Sequence, residues 1–216
     1  MKGLTRQYIL LFVTALGTVS CGGRAAQSAP PVVQPGAPGE SSKVISSAVA
    51  ESLPVPGYTD ADVKFMQGMI HHHSQAIDMV ELLYTRTSSD DMKKLAKRIE
   101  VSQNDELGMM RRWLEARGQD VPGPHAHHMP GAPLMPGMLT PDEMAKLAAA
   151  KGPGFDKLFL EGMIKHHSGA LVMVKDLFAT PGAAQGSEMF AFASDVDADQ
   201  RMEIDRMSAM LKELQK

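Results

Sequence analysis

The chain has 216 residues, enough for one domain of ordinary size and too few for two large ones. Apolar residues make up 44% and charged residues 22%, as in globular proteins, but 17 Met against 5% aromatic residues predict a core rich in flexible thioethers. The formal net charge is −3. It becomes −5 without residues 1–20, which hold two of the 22 basic residues and no acid, so that 20 basic residues face 25 acidic ones. Because the chain is acidic and has one Trp and no run of basic residues, nucleic acid is excluded as the first hypothesis for its partner.

Residues 1–20 have the features of an export signal. Lys2 and Arg6 precede the apolar run 8–19, which is too short for a permanent membrane-spanning helix. Cys21, the only Cys of the chain, follows small residues, and this junction resembles that of bacterial lipoproteins, in which the Cys is lipidated. We therefore predict a signal peptide over 1–20 and a lipid anchor at Cys21. Ordinary signal cleavage close by is the alternative.

Residues 21–57 are rich in Gly, Ala, Ser and Pro. Such a composition cannot bury enough apolar surface to fold, so it predicts a disordered tether, with at most one or two weak helical turns over 42–52. A lipid anchor followed by a tether is a coherent layout for a protein that faces the periplasm from a bacterial membrane. We predict that the folded domain covers 58–216.

From residue 59 onward, apolar residues recur at helical spacing, and no strand-like alternation of any length is found. Capping residues such as Thr59 and Thr140, and breakers such as Gly118, set the predicted ends. Five helices are predicted, at about 59–84, 88–117, 140–152, 153–179 and 187–214. The fold class is therefore all-α, with a connection rich in Pro, Gly, His and Met over 118–139.

Four of the helices form two similar pairs. Residues 65–76, which read FMQGMIHHHSQA, align with residues 159–170, which read FLEGMIKHHSGA, at an offset of 94. The second helices share Gln-x-x-Glu-[Leu/Ile]-x-x-Met, starting at Gln103 and Gln200, at an offset of 97. Two helical hairpins that cannot bury their apolar stripes alone are expected to form a four-helix bundle, with the short helix in the central connection. The repeats cover about 59–117 and 153–215.

One face of the first helix of each repeat carries Met and His. These candidate metal ligands are Met69, His72, His73 and Met79 in the first copy, and Met163, His166, His167 and Met173 in the second. Lys165 occupies the position of His71, so we do not count His71 as a principal ligand. Thioether sulfur suits Cu(I) and imidazole serves both copper states and zinc, which makes copper the predicted metal and zinc the second choice. Two equivalent sites and one shared central site both remain open, and so does a purely structural role in the core.

Two further groups of residues surround this pattern. Glu106 and Glu203, on the second helices, are candidates for partners of the imidazole N–H groups. The connection adds six potential donors on a Pro- and Gly-rich segment: His125, His127, His128, Met129, Met135 and Met138. They are typical of a low-specificity metal-capture loop, and an ordinary solvated connector explains them equally well.

The motif Phe-x-x-x-Met-x-x-His-His-x-x-Ala-x-x-Met occurs twice, and with it the chain resembles the family of domain-of-unknown-function 305 (DUF305) proteins, which includes the CopM-like periplasmic copper-binding proteins. The resemblance covers about 58–216. It implies a ferritin-like helical bundle and a role in copper binding or resistance in the bacterial envelope. By matched position, the motif of the family falls on the eight Met and His residues named above.

The leading hypothesis is a non-enzymatic exported protein that binds copper, as Cu(I) or Cu(II), for buffering, resistance or transfer. Its partners would be the metal ion, the membrane through the lipid anchor only, and another copper-handling protein of the envelope. The alternative is a metal-free structural or interaction module. A metal-dependent oxidoreductase ranks last, because the chain lacks the Glu-x-x-His pairs that ferritin-like di-iron enzymes use.

Overall fold

The computed structural model describes residues 32–34, 41–52, 57–123 and 134–215, which belong to two compact units divided after Pro54. The predicted signal peptide and a set of candidate residues lie outside the described residues. That set is Cys21, His125, His127, His128 and Met129.

The first unit contains two short strands and a short helix. Strands β1 (Val32–Gln34) and β2 (Lys43–Ile45) pair antiparallel, with Val33 opposite Val44, and helix α1 (Ser47–Ser52) follows. Branched side chains favour this pairing. The sequence predicted helical turns here but no strand, since three residues are too few to display an alternation. No residue of α1 is buried, and Val33 and Val44 are exposed.

The second unit is a helical bundle. Its described part contains α2 (Asp60–Arg86), α3 (Asp90–Glu115), α4 (Pro141–Ala149), α5 (Gly152–Ala179) and α6 (Ser187–Leu214). The five predicted helices are confirmed, with ends within a few residues of those expected. Capping explains this agreement, because Thr59 forms a capping box with Asp62, and Thr140 forms one with Glu143. None of the described helices is long and apolar enough to cross a membrane.

The two hairpins, α2–α3 and α5–α6, meet through α2 and α5. A Cβ placed on Gly68 would lie 3.5 Å from Cε of Met173, and one placed on Gly162 would lie 3.3 Å from Cε of Met79. The offset of 94 maps Gly68 onto Gly162 and Met79 onto Met173, so the two contacts are equivalent. Because each joins an early position of one helix to a late position of the other, α2 and α5 run antiparallel and a pseudo-two-fold axis relates the repeats. The predicted bundle of two repeated hairpins, with a short helix in the central connection, is confirmed.

Two apolar clusters fill the core of the bundle. The first apolar cluster surrounds Phe65, Trp113 and Phe192, and the second apolar cluster surrounds Phe155 and Phe159. Along α2 and α5, the buried side chains between these clusters are polar, at 72–75 and 166–167, whereas Lys165 and Ser168 are exposed. The middle of the bundle is therefore a polar layer between two apolar ends.

Candidate metal centre

Four imidazoles form the centre of this polar layer, which we call the His layer: His72 and His73 from α2, and His166 and His167 from α5. Each is at most 1% exposed. The rings of His72 and His166 meet across the pseudo-two-fold axis with their centroids 3.7 Å apart and their planes tilted by 37°. Each of these rings lies 6.1 Å from the ring of its sequence neighbour. The structure thus brings all four predicted imidazole ligands into one layer.

The outer rings of the His layer contact carboxylates of the second helices. Nε2 of His73 is hydrogen-bonded to Oε2 of Glu106, and Nε2 of His167 lies 2.6 Å from Oε2 of Glu203. Both carboxylates are nearly buried, at 8% and 5% exposure. The two hairpins repeat this contact, in which a carboxylate oxygen accepts the Nε2 hydrogen and fixes the ring.

The inner rings of the His layer donate to backbone carbonyls instead. Nε2 of His72 lies 3.0 Å from the carbonyl oxygen of Pro136, and Nε2 of His166 lies 2.9 Å from the carbonyl oxygen of His72. A carbonyl only accepts, so Nε2 carries the proton in both rings. Nδ1 is then the nitrogen with the available lone pair.

In all four rings, Nδ1 is buried and has no hydrogen-bond partner. Unpaired buried polar atoms are costly, and four in one layer call for an explanation. An imidazole with its N–H held by a carboxylate or carbonyl and its other nitrogen unpaired has the arrangement of a metal-ligating histidine. Each ring of the His layer therefore presents one nitrogen in the state that metal-ligating histidines use. Among the described residues, no group of three or more His, Cys, Asp or Glu side chains is arranged to hold a single ion.

Burial also sets the charge of the inner rings. It holds the pKa of His72 and of His166 well below the usual 6.5, because desolvation disfavours imidazolium, and the neighbouring histidines lower both pKa values further. Both rings are neutral at pH 7. Their Nδ1 lone pairs are available to a cation without prior loss of a proton.

A surface cavity of about 590 Å³ lies between α3 and α6. Its lining combines the carboxylates of Asp199 and Glu203 with three basic residues, Lys94, Lys97 and Arg98. Burial raises the pKa of Asp199, and the nearby carboxylates of Glu106 and Glu203 raise it further. Arg98, which lines the same cavity, acts in the opposite direction and lowers this pKa.

The antiparallel packing of α2 and α5 divides the predicted Met ligands between the two ends of the His layer. Met69 belongs to the first apolar cluster, against which Met173 also packs, whereas Met79 and Met163 belong to the second. Each end therefore combines one Met from each repeat. Met173 is half-buried and the other three are fully buried.

Two buried glutamines in the same helices were not among the predicted site residues. Gln103 and Gln200 lie one turn before Glu106 and Glu203, and Oε1 of each glutamine is buried without a partner. Their occurrence at equivalent positions of both repeats was the signal that could have included them.

The sequence analysis also missed a close contact made by residues 134–140, which we call the crossing segment. Its carbonyl at Pro136 meets His72, and a Cβ on Gly169 would lie only 1.9 Å from that carbonyl oxygen. Gln75 donates to the carbonyl of Leu139 at 2.9 Å and accepts from its N–H at 2.7 Å. Gln75 and Gly169 are equivalent positions of the two repeats. Their difference was the available signal, because one holds the segment and the other leaves room for it.

Comparison with known proteins identifies the family of this chain. The family model "Domain of unknown function (DUF305)" matches residues 62–211. The chain is 29% identical to a DUF305 protein of Streptomyces coelicolor named as a candidate secreted protein, covering 71% of this chain and 93% of that one with a TM-score of 0.61.

CopM has been solved with copper. The chain is 28% identical to its Cu(II)-bound form, over 70% of this chain and 96% of that one, with a TM-score of 0.57. The chain is also 28% identical to the Cu(I)-bound form of CopM, over 73% of this chain and 98% of that one, with a TM-score of 0.54. An uncharacterized protein of Acanthamoeba polyphaga mimivirus is 39% identical over 56 residues, which span 26% of this chain and 37% of that protein. The chain belongs to the DUF305 family.

Proposed function

We propose that this DUF305 protein binds copper in the His layer, for buffering, resistance or transfer of copper in the bacterial cell envelope. One observation carries the proposal: four buried imidazoles each have Nε2 held by a hydrogen bond and Nδ1 without a partner. A bound metal ion would supply the partners that these nitrogens lack.

Copper is favoured by the donors around the layer. Met69 and Met163 each precede a His pair by one helical turn, which is within reach of a shared ion. Imidazole binds both copper states and thioether binds Cu(I), while the only thiol of the chain lies at Cys21. The copper-bound forms of CopM, a protein with a similar fold, support the same metal. Zinc is the second choice.

We assign Glu106 and Glu203 to the orientation of the outer rings. A carboxylate that holds the Nε2 hydrogen fixes the tautomer and raises the basicity of Nδ1. We also propose that Met79 and Met173 complete the donor set at the two ends of the layer. His125, His127, His128 and Met129 would then serve as an auxiliary capture group.

The envelope location rests on the N-terminal sequence. Residues 1–20 predict export, and a related DUF305 protein is named as a candidate secreted protein. Lipidation of Cys21 would be the only contact with the membrane, and another copper-handling protein of the envelope would deliver or receive the ion.

The test is a copper titration of the full chain with Cys21→Ser, so that the thiol cannot bind the metal. Cu(II) and anaerobic Cu(I) are titrated against competing chelators, with Zn(II) in parallel. The parent is compared with a variant in which all four imidazoles are replaced by Ala: His72, His73, His166 and His167. We expect at least a hundredfold loss of Cu(II) affinity, whereas His71→Ala, a control on the same helix, should keep the parent affinity.

A separate variant guards against simple unfolding. His73→Gln with His167→Gln retains a side-chain N–H for each carboxylate but removes two imidazoles. It should fold, as judged by circular dichroism, and the electron paramagnetic resonance spectrum of its bound Cu(II) should show fewer nitrogen ligands than that of the parent. Parent-like copper binding in both variants would make the histidines structural and favour the metal-free module.

A further inference from the structure

A polar cavity of about 250 Å³ lies outside the His layer, at the start of α6. Residues 186–189 line it, so the first turn of α6 forms part of its wall. Gly186 is the N-cap of α6 and supplies no side-chain hydrogen bond. The N–H of Phe190 makes the first bond of the helix, to the carbonyl of Gly186 at 2.9 Å, so the N–H groups of 187–189 have no acceptor within α6. The cavity therefore borders donors and the positive end of a helix dipole.

The internal repeat shows which cap this end lacks. At the offset of 97, Ser89 of the first repeat is the equivalent of Gly186. Its Oγ accepts the N–H of Met92 in the first turn of α3 at 3.3 Å. The equivalent donor in α6 is the N–H of Met189, and glycine has no side chain to accept it. One end of the bundle therefore has a built-in acceptor, and the other leaves the position to a ligand.

The indole of Trp113 lines the same cavity and also lacks an acceptor. Trp113 is 7% exposed, and its Nε1 is buried without a hydrogen-bond partner among the described residues. An indole N–H only donates, so its burial without an acceptor is costly. The second repeat has Met210 at the equivalent position, which brings no such donor. Trp113 and the first turn of α6 thus call for the same kind of ligand, one that carries acceptor oxygens.

Arg117 adds a positive charge that is held in place. Its guanidinium lies over the ring of Trp113, with Cζ 4.2 Å from the ring centroid, and Nη1 donates to the carbonyl of Trp113 at 3.1 Å. The ring of Tyr58 meets that of Trp113 edge-on, with the centroids 5.6 Å apart. The second repeat has Gly152 and Leu214 at the positions of Tyr58 and Arg117, so this aromatic and basic wall is also confined to one end of the bundle.

Two carboxylates line the cavity as well, and both have other partners. Oδ1 of Asp62 accepts the N–H of Ala184 at 2.7 Å and its Oδ2 accepts that of Thr59 at 2.7 Å, so these donors compensate its charge. Glu188 accepts from Nη2 of Arg117 at 2.8 Å, but its side chain is 70% exposed, and an exposed ion pair contributes little. A carboxylate that enters the cavity can therefore replace Glu188 at the guanidinium.

A larger apolar cavity adjoins the polar one. It has a volume of about 390 Å³, lies between α3 and α6, and shares Trp113 and Arg117 with the polar cavity. Its apolar side is formed by Met66, Met109 and Phe192. A ligand whose acceptor group lies in the polar cavity can therefore place an apolar chain beside the indole, where burial of apolar surface adds to its affinity.

We infer that this end of the bundle binds a small organic acid. Its carboxylate accepts hydrogen bonds from the first turn of α6, from Arg117 and from Nε1 of Trp113, and its apolar part lies between α3 and α6. The uncapped helix, the unpaired indole and the guanidinium supply the donors for one group, and the adjoining cavity supplies the apolar surface. None of these residues belongs to the His layer, so the site requires no copper.

The test uses the metal-free full chain with Cys21→Ser. Because Trp113 is the only Trp of the chain, its fluorescence reports on the site directly. Octanoate is the probe, while acetate and octanol present the carboxylate and the apolar chain separately. We expect a saturable change of the emission with a Kd for octanoate below about 1 mM, and binding of acetate and octanol that is weaker by about tenfold or more.

Substitutions taken from the repeat provide the variants. Gly186→Ser gives α6 the cap that Ser89 gives α3, so its hydroxyl would accept the N–H of Met189 in place of the ligand. This change should stabilise the fold and lower octanoate affinity about tenfold. Glu188→Gln removes the competing carboxylate and should raise the affinity about threefold. Ser89→Gly, which removes the equivalent cap at the other end of the bundle, is the matched control and should bind octanoate as the parent does.

Three outcomes would overturn the inference: the emission of Trp113 shows no saturable change with octanoate, acetate or octanol binds as tightly as octanoate, or Gly186→Ser binds octanoate like the parent. The variant without the four imidazoles separates this site from the proposed function. It should bind octanoate as the parent does while it loses Cu(II), so the failure of either proposal leaves the other in place.

Discussion

Acid should destabilise the metal-free protein through the inner rings of the His layer. Burial holds the pKa of His72 and His166 well below 6.5 in the folded protein, whereas in the unfolded chain both titrate near 6.5. As the pH falls, the unfolded state therefore binds these protons first, and the free energy of unfolding decreases. The contribution is fully present above about pH 6.5 and is lost as the pH falls from there toward the pKa values of the folded state.

The size of this loss follows from the number of groups. If both rings stay neutral in the folded protein while the unfolded chain becomes protonated, lowering the pH from 7.5 to 5.5 should remove up to about 3 kcal/mol for the pair. This is a large part of the roughly 5–15 kcal/mol by which a typical domain is stable. The carboxylates with lowered pKa, Glu100, Glu143 and Asp197, have usual values of 4.5 or below and contribute only at more acidic pH.

Urea unfolding of the full chain, in a chelator and at pH 7.5, 6.5 and 5.5, measures the effect. The control is His72→Asn with His166→Asn, which removes both titrations and leaves every other ionisable group in place. Between pH 7.5 and 5.5 the free energy of unfolding of the parent should fall further than that of the control, by up to about 3 kcal/mol. Equal losses would refute a depressed pKa for the two rings. Excess Cu(II) should oppose the loss in the parent, because a ligand that binds only the folded state stabilises it.

Three substitutions test the surroundings of the layer. Glu106→Gln should lower copper affinity about 10- to 100-fold in a competition titration, and an unchanged affinity would show that the carboxylate does not orient its ring. Gln75→Ala should lower the free energy of unfolding by about 2–4 kcal/mol in urea, because the buried N–H and carbonyl of Leu139 lose their partners. Gly169→Ala places a methyl 1.9 Å from the carbonyl oxygen of Pro136 and should lower the free energy of unfolding by about 1–3 kcal/mol. Gly154→Ala is the control, because a Cβ at that position would have no atom within 4 Å. Equal losses of stability in the two variants would refute the close approach of the crossing segment to Gly169.

Local signals were sufficient to predict the helices. Thr59 and Thr140 satisfy the first N–H groups of α2 and α4 in the way that their neighbours Asp62 and Glu143 predict. The same holds for the end of α3, which Gly118 follows with φ = +62°. These interactions span three or four residues, so a single sequence contains all the information needed for them.

The arrangement of the site depends on contacts that local signals do not contain. Helical periodicity places Met69 and Met79 on the face of α2 that also carries His72, but it does not say which residues of the other repeat oppose them. The antiparallel packing of α2 and α5 decides this, and it sets Met173 beside Gly68. Local sequence signals did not predict the path of the crossing segment either. Only the difference between Gln75 and Gly169, one of four differences between the aligned segments, pointed to it.

A polar layer in the middle of a bundle works against the stability of the metal-free protein. Four unpaired Nδ1 atoms and two neutral rings in contact stabilise the folded state less than alkyl side chains of the same volume would. The layer is therefore the part of the core where a metal ion has the most to add, since binding would couple directly to folding.

The crossing segment extends this coupling to the surface. Its turn carries Met135 and Met138 on one side and fixes the proton of His72 through Pro136 on the other. A change that loosens the turn should therefore release the tautomer of the buried ring and lower the Cu(II) affinity of the His layer. Gln75→Ala is such a change, because it removes both hydrogen bonds that hold Leu139. If the Cu(II) affinity of this variant stays at the parent value, Pro136 adds nothing to the tautomer that burial has not already imposed.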